Sequence, residues 1–212
     1  MKKIILLLGL LLSFHAHASI IPIPDANFKS ALLSANSVNG IALDNAYNAI
    51  IIDTNANGEI DDTEALTVYH LGAGNASIAS LSGLEYFTNL DSISFPHNLI
   101  NSAVVPLLNS LGNLTSVNLG YNNLTTFTLH DHANIENIIL YYNNLTASNI
   151  YNCNSLQYLD IGNNSLTSLL FNNNASLLEV DCSYNMLTTL QVSGLPALTK
   201  LQAIYNGLTN FT

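Results

Sequence analysis

Apolar residues recur along most of the chain in the pattern L-x-x-L-x-L-x-x-N-x-L, with asparagine at one fixed position. Because side chains alternate across a strand, the L-x-L pair predicts one short strand per copy with a single apolar face. One copy cannot cover that face alone, so neighbouring copies must stack into a solenoid with a parallel sheet. Six copies start 24 and then 21 residues apart, at Leu90, Leu114, Ile135, Leu156, Leu177 and Leu198, and a looser copy is expected at Leu66, Tyr69, Leu71 and Ile78.

The fixed asparagine has a predicted structural role. An amide side chain both donates and accepts hydrogen bonds, so it can satisfy turn backbone that would otherwise be buried without a partner. The segments that return from one strand to the next are short and poor in helix formers, which predicts turns, extended pieces or short 3₁₀ stretches there. The longer link over 101–113 has room for a helical turn. The asparagine column consists of Asn98, Asn122, Asn143, Asn164, Asn185 and Asn206.

Residues 19–65 do not repeat and are placed to cover the open end of the array, which extends over 66–212. Asp25 is a predicted N-cap for a helix through about Leu33, and residues 34–47 are predicted to form a loop. The apolar run 49–52 is predicted to form a strand.

A sharp local motif follows at 53–64, where the sequence fits D-x-[DN]-x-[DN]-G-x₅-E. Calcium takes six to eight hard oxygen ligands, and this spacing supplies them in one loop. The sequence therefore predicts one weak calcium site; the alternative is an EF-hand-like turn that keeps its shape without metal. The expected ligands are Asp53, Asn55, Asn57, Glu59 through its carbonyl, Asp61 and Glu64.

The repeat pattern resembles that of the leucine-rich repeat family, and the linking segment 81–90 is similar to that of bacterial extracellular, internalin-like members. The resemblance implies a horseshoe with a parallel concave β-sheet, a mostly non-helical convex side and a small helical N-terminal cap that resembles part of an EF-hand. It also implies binding of a protein partner as the function.

The first 18 residues are typical of a signal peptide: two lysines, an apolar run and the small-x-small site at 16–18. The apolar run is too short to span a membrane, which needs about 20 residues. The sequence thus predicts a secreted or cell-surface protein, with no membrane insertion.

Charge narrows the possible partners. The chain has four lysines and no arginine against 14 acidic residues, a formal charge of −10, and only Lys29 and Lys200 lie beyond the predicted signal peptide. Nucleic acid is excluded as a partner, because phosphate binding needs clustered basic residues.

Candidate ligand-binding residues lie beside the predicted strands, where they are expected to face the concave side. Tyrosine combines a large apolar face with a polar tip and loses little rotamer entropy on binding; a purely structural tyrosine ladder is the alternative. The acidic residues Glu136, Asp160, Glu179 and Asp181 join this surface. The predicted ligand-binding residues are Tyr121, Tyr141, Tyr142, Tyr158, Tyr184 and Tyr205.

No arrangement of residues typical of catalysis is found, so the sequence predicts no enzyme but a module for protein–protein interaction or adhesion. A glycan-binding module and a non-catalytic fragment of a larger surface protein are the alternatives. No polar cap follows the last copy at Leu198, which leads us to expect self-association through the C-terminal end.

Overall fold

The computed structural model describes residues 18–211, so the predicted signal peptide lies outside the described residues except for Ala18. Three α-helices and thirteen strands occur in this part of the chain, together with two 3₁₀ turns at Leu84–Tyr86 and Ser102–Val104. The helices are α1 (Ala26–Leu33), α2 (Asp62–Ala65) and α3 (Val105–Ser110). The strands are β1 (Ala42–Leu43), β2 (His70–Gly72), β3 (Ser92–Ser94), β4 (Ser116–Asn118), β5 (Thr126–His130), β6 (Asn137–Ile139), β7 (Ala147–Tyr151), β8 (Tyr158–Asp160), β9 (Phe171–Asn172), β10 (Glu179–Asp181), β11 (Thr189–Leu190), β12 (Lys200–Gln202) and β13 (Asn210–Phe211).

The main sheet runs the length of the array in the order β1-β2-β3-β4-β6-β8-β10-β12. All its pairs are parallel except β1 with β2, and the central residues of successive repeat strands lie opposite one another. This register confirms the predicted solenoid. The central residues from β3 onward are Ile93, Val117, Ile138, Leu159, Val180 and Leu201.

The looser first copy exists, but its predicted register was wrong by two residues. Leu71 pairs with Ile93 and so occupies the middle strand position rather than the later one. Val68 is fully buried in the position predicted for Leu66, which is 44% exposed. A shift of two residues keeps the same side chains on the same face, so the apolar pattern could not distinguish the two registers.

The return segments form two further small parallel sheets, β5-β7-β9 and β11-β13. Extended pieces were predicted there, whereas their pairing was not. The longer link holds a 3₁₀ turn followed by α3, as its extra length predicted. The core lies between the main sheet and these return strands. The leucine positions are almost fully buried in the five repeats that start at Leu90 to Leu177 and partly buried in the last repeat, which starts at Leu198.

The asparagine column has its predicted structural role. Each Oδ1 accepts a backbone N–H of the preceding repeat at 2.9–3.0 Å. Each Nδ2 donates to a carbonyl of that same preceding repeat at 2.8–3.1 Å. The column thus ties every turn to its neighbour.

The N-terminal cap begins with α1, whose N-cap is Asp25 as predicted. The second oxygen of Asp25 accepts the N–H groups of Ala79 and Ser80, both at 2.9 Å, and so fixes the helix to the array. The structure differs from two expectations. Strand β1 lies inside the predicted loop, and the predicted strand over 49–52 is reduced to a single antiparallel bridge between Ala49 and Leu43 of β1.

Candidate functional site

Aromatic residues form a ladder in the turns that follow the repeat strands. Each lies just before the buried asparagine and has a left-handed backbone, with φ between 51° and 57°. The structure therefore places this column at the edge of the sheet, where each strand turns away, rather than on the concave face that the sequence predicted. The ladder positions are His97, Tyr121, Tyr142, Asn163, Tyr184 and Tyr205.

The aromatic rings of the ladder stack on one another. The centroid of Tyr121 lies 4.0 Å from that of His97 and 4.4 Å from that of Tyr142, with planes within 15°. A second stack joins Tyr184 to Tyr205, with centroids 4.5 Å apart and planes at 22°. Stacked aromatic pairs contribute about 0.5–1.5 kcal/mol beyond their buried area, which stabilises a turn conformation that bulky residues rarely adopt.

Asn163 interrupts the ladder between these two stacks. Its backbone follows the same path as the other ladder positions, with φ of 52° and its N–H bonded to the carbonyl of Ser183 at 2.9 Å. Neither Asn163 nor its neighbour Gly162 was among the predicted ligand-binding residues. The signal that could have found them is the single break in an otherwise aromatic column.

The other two predicted tyrosines lie on the strand side of the ladder. Tyr141 lies two residues after the end of β6 and packs edge-on against Tyr121 and Tyr142, with centroids 5.2 and 5.9 Å away. Tyr158 is the first residue of β8, two residues before Asp160. The structure therefore brings Tyr121, Tyr141 and Tyr142 into one cluster and leaves Tyr158 on the sheet itself.

Acidic residues occupy β8 and β10 on the same side of the sheet. Asp160 in β8 lies opposite Asp181 in β10, and Glu179 lies opposite Tyr158. Burial is the main cause that raises the pKa of Asp160, and nearby Asp181 raises it further. Burial and these carboxylates also raise the pKa of Tyr158. Glu136, just before β6, is exposed.

A shallow groove of about 540 Å³ follows the aromatic turns. It is lined by the rings of His97, Tyr121 and Tyr142, by asparagines that include members of the buried column, and by Asn163. A second groove of about 470 Å³ lies between α1 and the turn after β2, lined mostly by small and polar residues.

The predicted calcium loop is held by its own hydrogen bonds. Asp53 accepts the N–H groups of Asn57 at 3.1 Å and Gly58 at 3.0 Å, and Gly58 has the left-handed backbone that the turn requires. The side chains of Asn55 and Asn57 each accept the N–H two residues further on. The side chain of Glu59 pairs with Lys29 at 2.6 Å.

The last two expected ligands form the capping box of α2. Oδ1 of Asp61 accepts the N–H groups of Thr63 and Glu64, and Oε2 of Glu64 accepts that of Asp61 at 3.1 Å. Oε1 of Glu64 accepts the N–H groups of Thr54 at 2.8 Å and Asn55 at 3.3 Å. The donor set consists of hard oxygens and fits calcium, but an ion must compete with the hydrogen bonds of Glu64.

Beyond the aromatic ladder and the predicted calcium loop, the described residues form no further cluster suited to binding a metal ion. No cluster of three or more histidines, cysteines or acidic residues is arranged to hold a metal ion in residues 18–211. His130 bonds to Asp131 at 2.9 Å, while His132 is buried. No helix in the described part of the chain has the length and apolar character needed to cross a membrane.

The comparisons with known proteins identify the fold. No protein-family model and no curated protein matches this sequence. Among solved structures, it is similar to an internalin (InlF) from Listeria monocytogenes, with 18% identity and a TM-score of 0.57 over 93% of this chain and 62% of the internalin. It is also similar to a chain of the LRIM1/APL1C complex, with 19% identity and a TM-score of 0.50 over 70% of this chain and 37% of that one.

The chain thus spans less than two thirds of the length of either neighbour. At these identities the likeness concerns the fold, which is an internalin-like leucine-rich repeat solenoid with few helices.

Proposed function

We propose that this protein is an exported, non-catalytic binding module that recognises a polypeptide partner along the aromatic edge of its repeat array. The observation that carries the proposal is the exposure of the ladder. Tyr142 and Tyr184 are each 47% exposed and Tyr205 is 70% exposed, although each ring stacks on a neighbour.

The ladder suits a protein partner because it is already ordered. Stacking restricts the ring rotamers before binding, so less conformational entropy is lost when a partner docks. Tyrosine is enriched among the residues that dominate protein interfaces. The outward edges and hydroxyl groups of the rings are free to contact a partner, whereas most ring faces are covered within the stacks. This arrangement favours a polypeptide over a row of sugar rings stacked face-on, the alternative left open by the sequence.

Two further features support a non-catalytic binding role: neither cysteine is a reactive nucleophile, and the fold occurs in a protein complex. Burial raises the pKa of Cys182 to about 12 and raises that of Cys153, so both thiols stay protonated and unreactive. One structural neighbour was solved as a complex, LRIM1/APL1C, which illustrates this fold in a protein assembly. Export is part of the proposal because of the signal-like residues 1–18.

We also propose that the loop over 53–64 binds one calcium ion weakly. Asp53, Asn55, Asn57, Asp61 and Glu64 supply side-chain oxygens, and Glu59 supplies its carbonyl. The affinity is low because Glu64 must give up hydrogen bonds to Thr54, Asn55 and Asp61. Its role is structural, since this loop leads into α2 and the first repeat strand.

The binding proposal is tested by selecting a displayed random-peptide library on the mature protein. The double variant Tyr142→Ala/Tyr184→Ala serves as the comparison, because both side chains lie outside the core columns. Loss of two ring stacks should lower its free energy of unfolding by about 1–3 kcal/mol, so binding is compared at a temperature where both proteins are fully folded. We expect enriched peptides on the wild type and at least tenfold weaker binding of those peptides to the variant.

Three results would contradict the proposal. The first is an absence of enriched peptides. The second is full binding to the double variant, which would place recognition elsewhere. The third is saturable binding on a glycan array with no peptide binding, which would establish the glycan alternative.

A further inference from the structure

The break in the ladder leaves two aromatic faces opposite each other. Tyr121 covers one face of Tyr142, and Tyr205 covers one face of Tyr184. The other face of each ring is turned toward Asn163, whose side chain is too short to stack. Two strand spacings separate the rings, which is about 9–10 Å. One planar group inserted there would lie about 4.5–5 Å from each ring centroid, the range of favourable aromatic contacts and close to the spacing within the ladder.

The floor of this gap is acidic. A Cβ atom added at Gly162 would lie 3.4 Å from Oδ1 of Asp160 and 3.6 Å from Oδ1 of Asp181, so the two carboxylates converge beside a missing side chain. The N–H of Gly162 donates to Asp160 at 3.1 Å, and that of Ser183 donates to Asp181 at 2.9 Å. We call this gap, with walls Tyr142 and Tyr184 and floor Gly162, Asp160 and Asp181, the Asn163 notch.

No cation in the described part of the chain neutralises this floor. The two lysines beyond the signal peptide pair with glutamates, Lys29 with Glu59 and Lys200 with Glu179. Partly buried carboxylates without a cationic partner are unfavourable, because burial disfavours the charged form. A cationic ligand would remove that penalty.

A buried polar atom beside the notch also lacks a partner. Ser183 is 4% exposed, and its Oγ forms no hydrogen bond within the described residues. Its carbonyl would lie 3.3 Å from a Cβ at Gly162, so the backbone of Ser183 lies beside the floor of the notch. Buried hydroxyl groups normally have a hydrogen-bond partner, so the region beside the carboxylates holds a further unsatisfied polar group.

We propose that the Asn163 notch binds the guanidinium group of an arginine in the partner polypeptide, stacked between Tyr142 and Tyr184 and paired with Asp160 and Asp181. This inference rests on the proposed function and specifies the chemistry of the partner. Guanidinium is the protein group that is both planar and permanently charged, and it stacks on aromatic faces while it donates to carboxylates. A lysine ammonium would lose the planar stack, and a phenylalanine ring would leave the carboxylates unpaired.

The test uses the peptide Ser-Gly-Arg-Gly-Ser with blocked ends, titrated into the mature protein and followed by NMR at the rings of Tyr142 and Tyr184. Two matched peptides replace arginine by citrulline, which is planar but neutral, or by lysine, which is charged but not planar. We expect arginine to bind at least tenfold more tightly than either. Added salt should weaken arginine binding, because part of the interaction is charge pairing.

Protein variants locate the binding. Asn163→Tyr should continue the ladder through the notch and reduce arginine-peptide binding at least tenfold without loss of Tm, since tyrosine adopts this backbone conformation at four other ladder positions. Asn154→Tyr adds the same ring at an exposed turn position outside the ladder and its groove, and should leave binding unchanged. Asp160→Asn/Asp181→Asn should reduce the preference for arginine over citrulline.

Three results would overturn the inference: no binding of the arginine peptide, equal binding of the arginine and citrulline peptides, or unchanged binding to Asn163→Tyr. These outcomes differ from failure of the proposed function. If the library selection yields peptides that lack arginine and still bind Asn163→Tyr, the binding module stands and the notch does not. If no peptide is selected at all, the proposed function itself fails.

Discussion

Individual side chains in this solenoid form specific hydrogen bonds to the backbone of the preceding repeat, and Asn143 is representative. It is 8% exposed, accepts the N–H of Leu124 at 2.9 Å and donates to the carbonyl of Leu119 at 2.9 Å. Asn144, the next residue, is exposed and has no comparable role. The chain thus places the same residue type in a structural and a non-structural position side by side.

We expect Asn143→Ala to lower the free energy of unfolding by about 2–4 kcal/mol, because a buried donor and acceptor lose their partner. Asn144→Ala should change it by less than about 0.5 kcal/mol, the usual range for surface substitutions. Urea denaturation of both variants measures the difference. Equal effects of the two substitutions would contradict the structural role of the column.

A second residue couples stability to pH. His132 is 3% exposed, and its Nδ1 has no hydrogen-bond partner within the described residues. Burial, with a smaller contribution from His130, lowers its pKa below the ordinary value of 6.5, while Asp131 acts in the opposite direction. Since the unfolded state then binds a proton more readily than the folded state, this group stabilises the fold fully above pH 6.5 and loses that contribution as the pH falls toward its folded pKa.

We therefore expect the free energy of unfolding to fall between pH 7 and pH 5 with a contribution from His132 of at most about 1.4 kcal/mol per pH unit. His132→Leu is the matched variant, because Leu195 is buried at the corresponding position of a later repeat. The difference in stability between the variant and the wild type should grow as the pH falls. A difference that stays constant over this range would show that His132 does not titrate on unfolding.

At the scale of elements, the sequence correctly predicted the strands and helices that depend on local residue spacing, capping and segment length. The main-sheet strands from β3 onward, α1 with its cap at Asp25 and the helical turn in the long link follow directly from apolar spacing, capping chemistry and length. The register of β2 was missed by two residues, because such a shift leaves the buried face unchanged. The pairing of return strands such as β5 with β7 was missed because their apolar spacing does not specify a neighbour.

The candidate site was predictable only in part, for a related reason. The sequence identified the tyrosine column and the acidic residues, but the left-handed turn places the rings at the edge of the sheet and lets them stack. The gap at Asn163 and the convergence of two carboxylates at Gly162 depend on the distance between neighbouring repeats. The order of residue types along the sequence does not specify the distance between side chains of neighbouring repeats.

The calcium loop gives a prediction for the cap as an element. Millimolar calcium should raise the Tm of the protein prepared without residues 1–18, because an ion that binds only the native state stabilises it by about 1.4 kcal/mol at ten times Kd. Asp53→Ala should abolish this rise, since it removes the first ligand. Glu59→Gln is the control, because the expected ligand there is the carbonyl. Differential scanning calorimetry with calcium and with chelator measures the effect, and identical Tm values in both would leave the metal-free turn as the correct interpretation.

At the scale of the whole molecule, stability is carried by contacts between neighbouring repeats, and every pairing in the main sheet from β4 onward follows the 21-residue period. Such an array should tolerate removal of one whole unit, because the flanking repeats present the same surfaces. Deletion of residues 156–176 joins Ser155 to Leu177 and restores the Ser-Leu junction that each of these repeats has. It also makes the repeats that hold Tyr142 and Tyr184 direct neighbours.

We expect this 21-residue deletion to give a cooperatively folded protein with lower stability and a denaturant m-value smaller by about a tenth, in proportion to the surface removed. Deletion of the 20 residues 157–176 leaves an extra leucine ahead of Leu177, which the junction must accommodate as a bulge, so this variant should be less stable than the 21-residue deletion. Circular dichroism and urea denaturation compare the two. The 21-residue deletion should also lose binding of the arginine peptide, because it closes the Asn163 notch while it preserves the tyrosines. Equal stability of both deletion variants would contradict the fixed period, and retained arginine binding in the folded 21-residue deletion would place the peptide outside the notch.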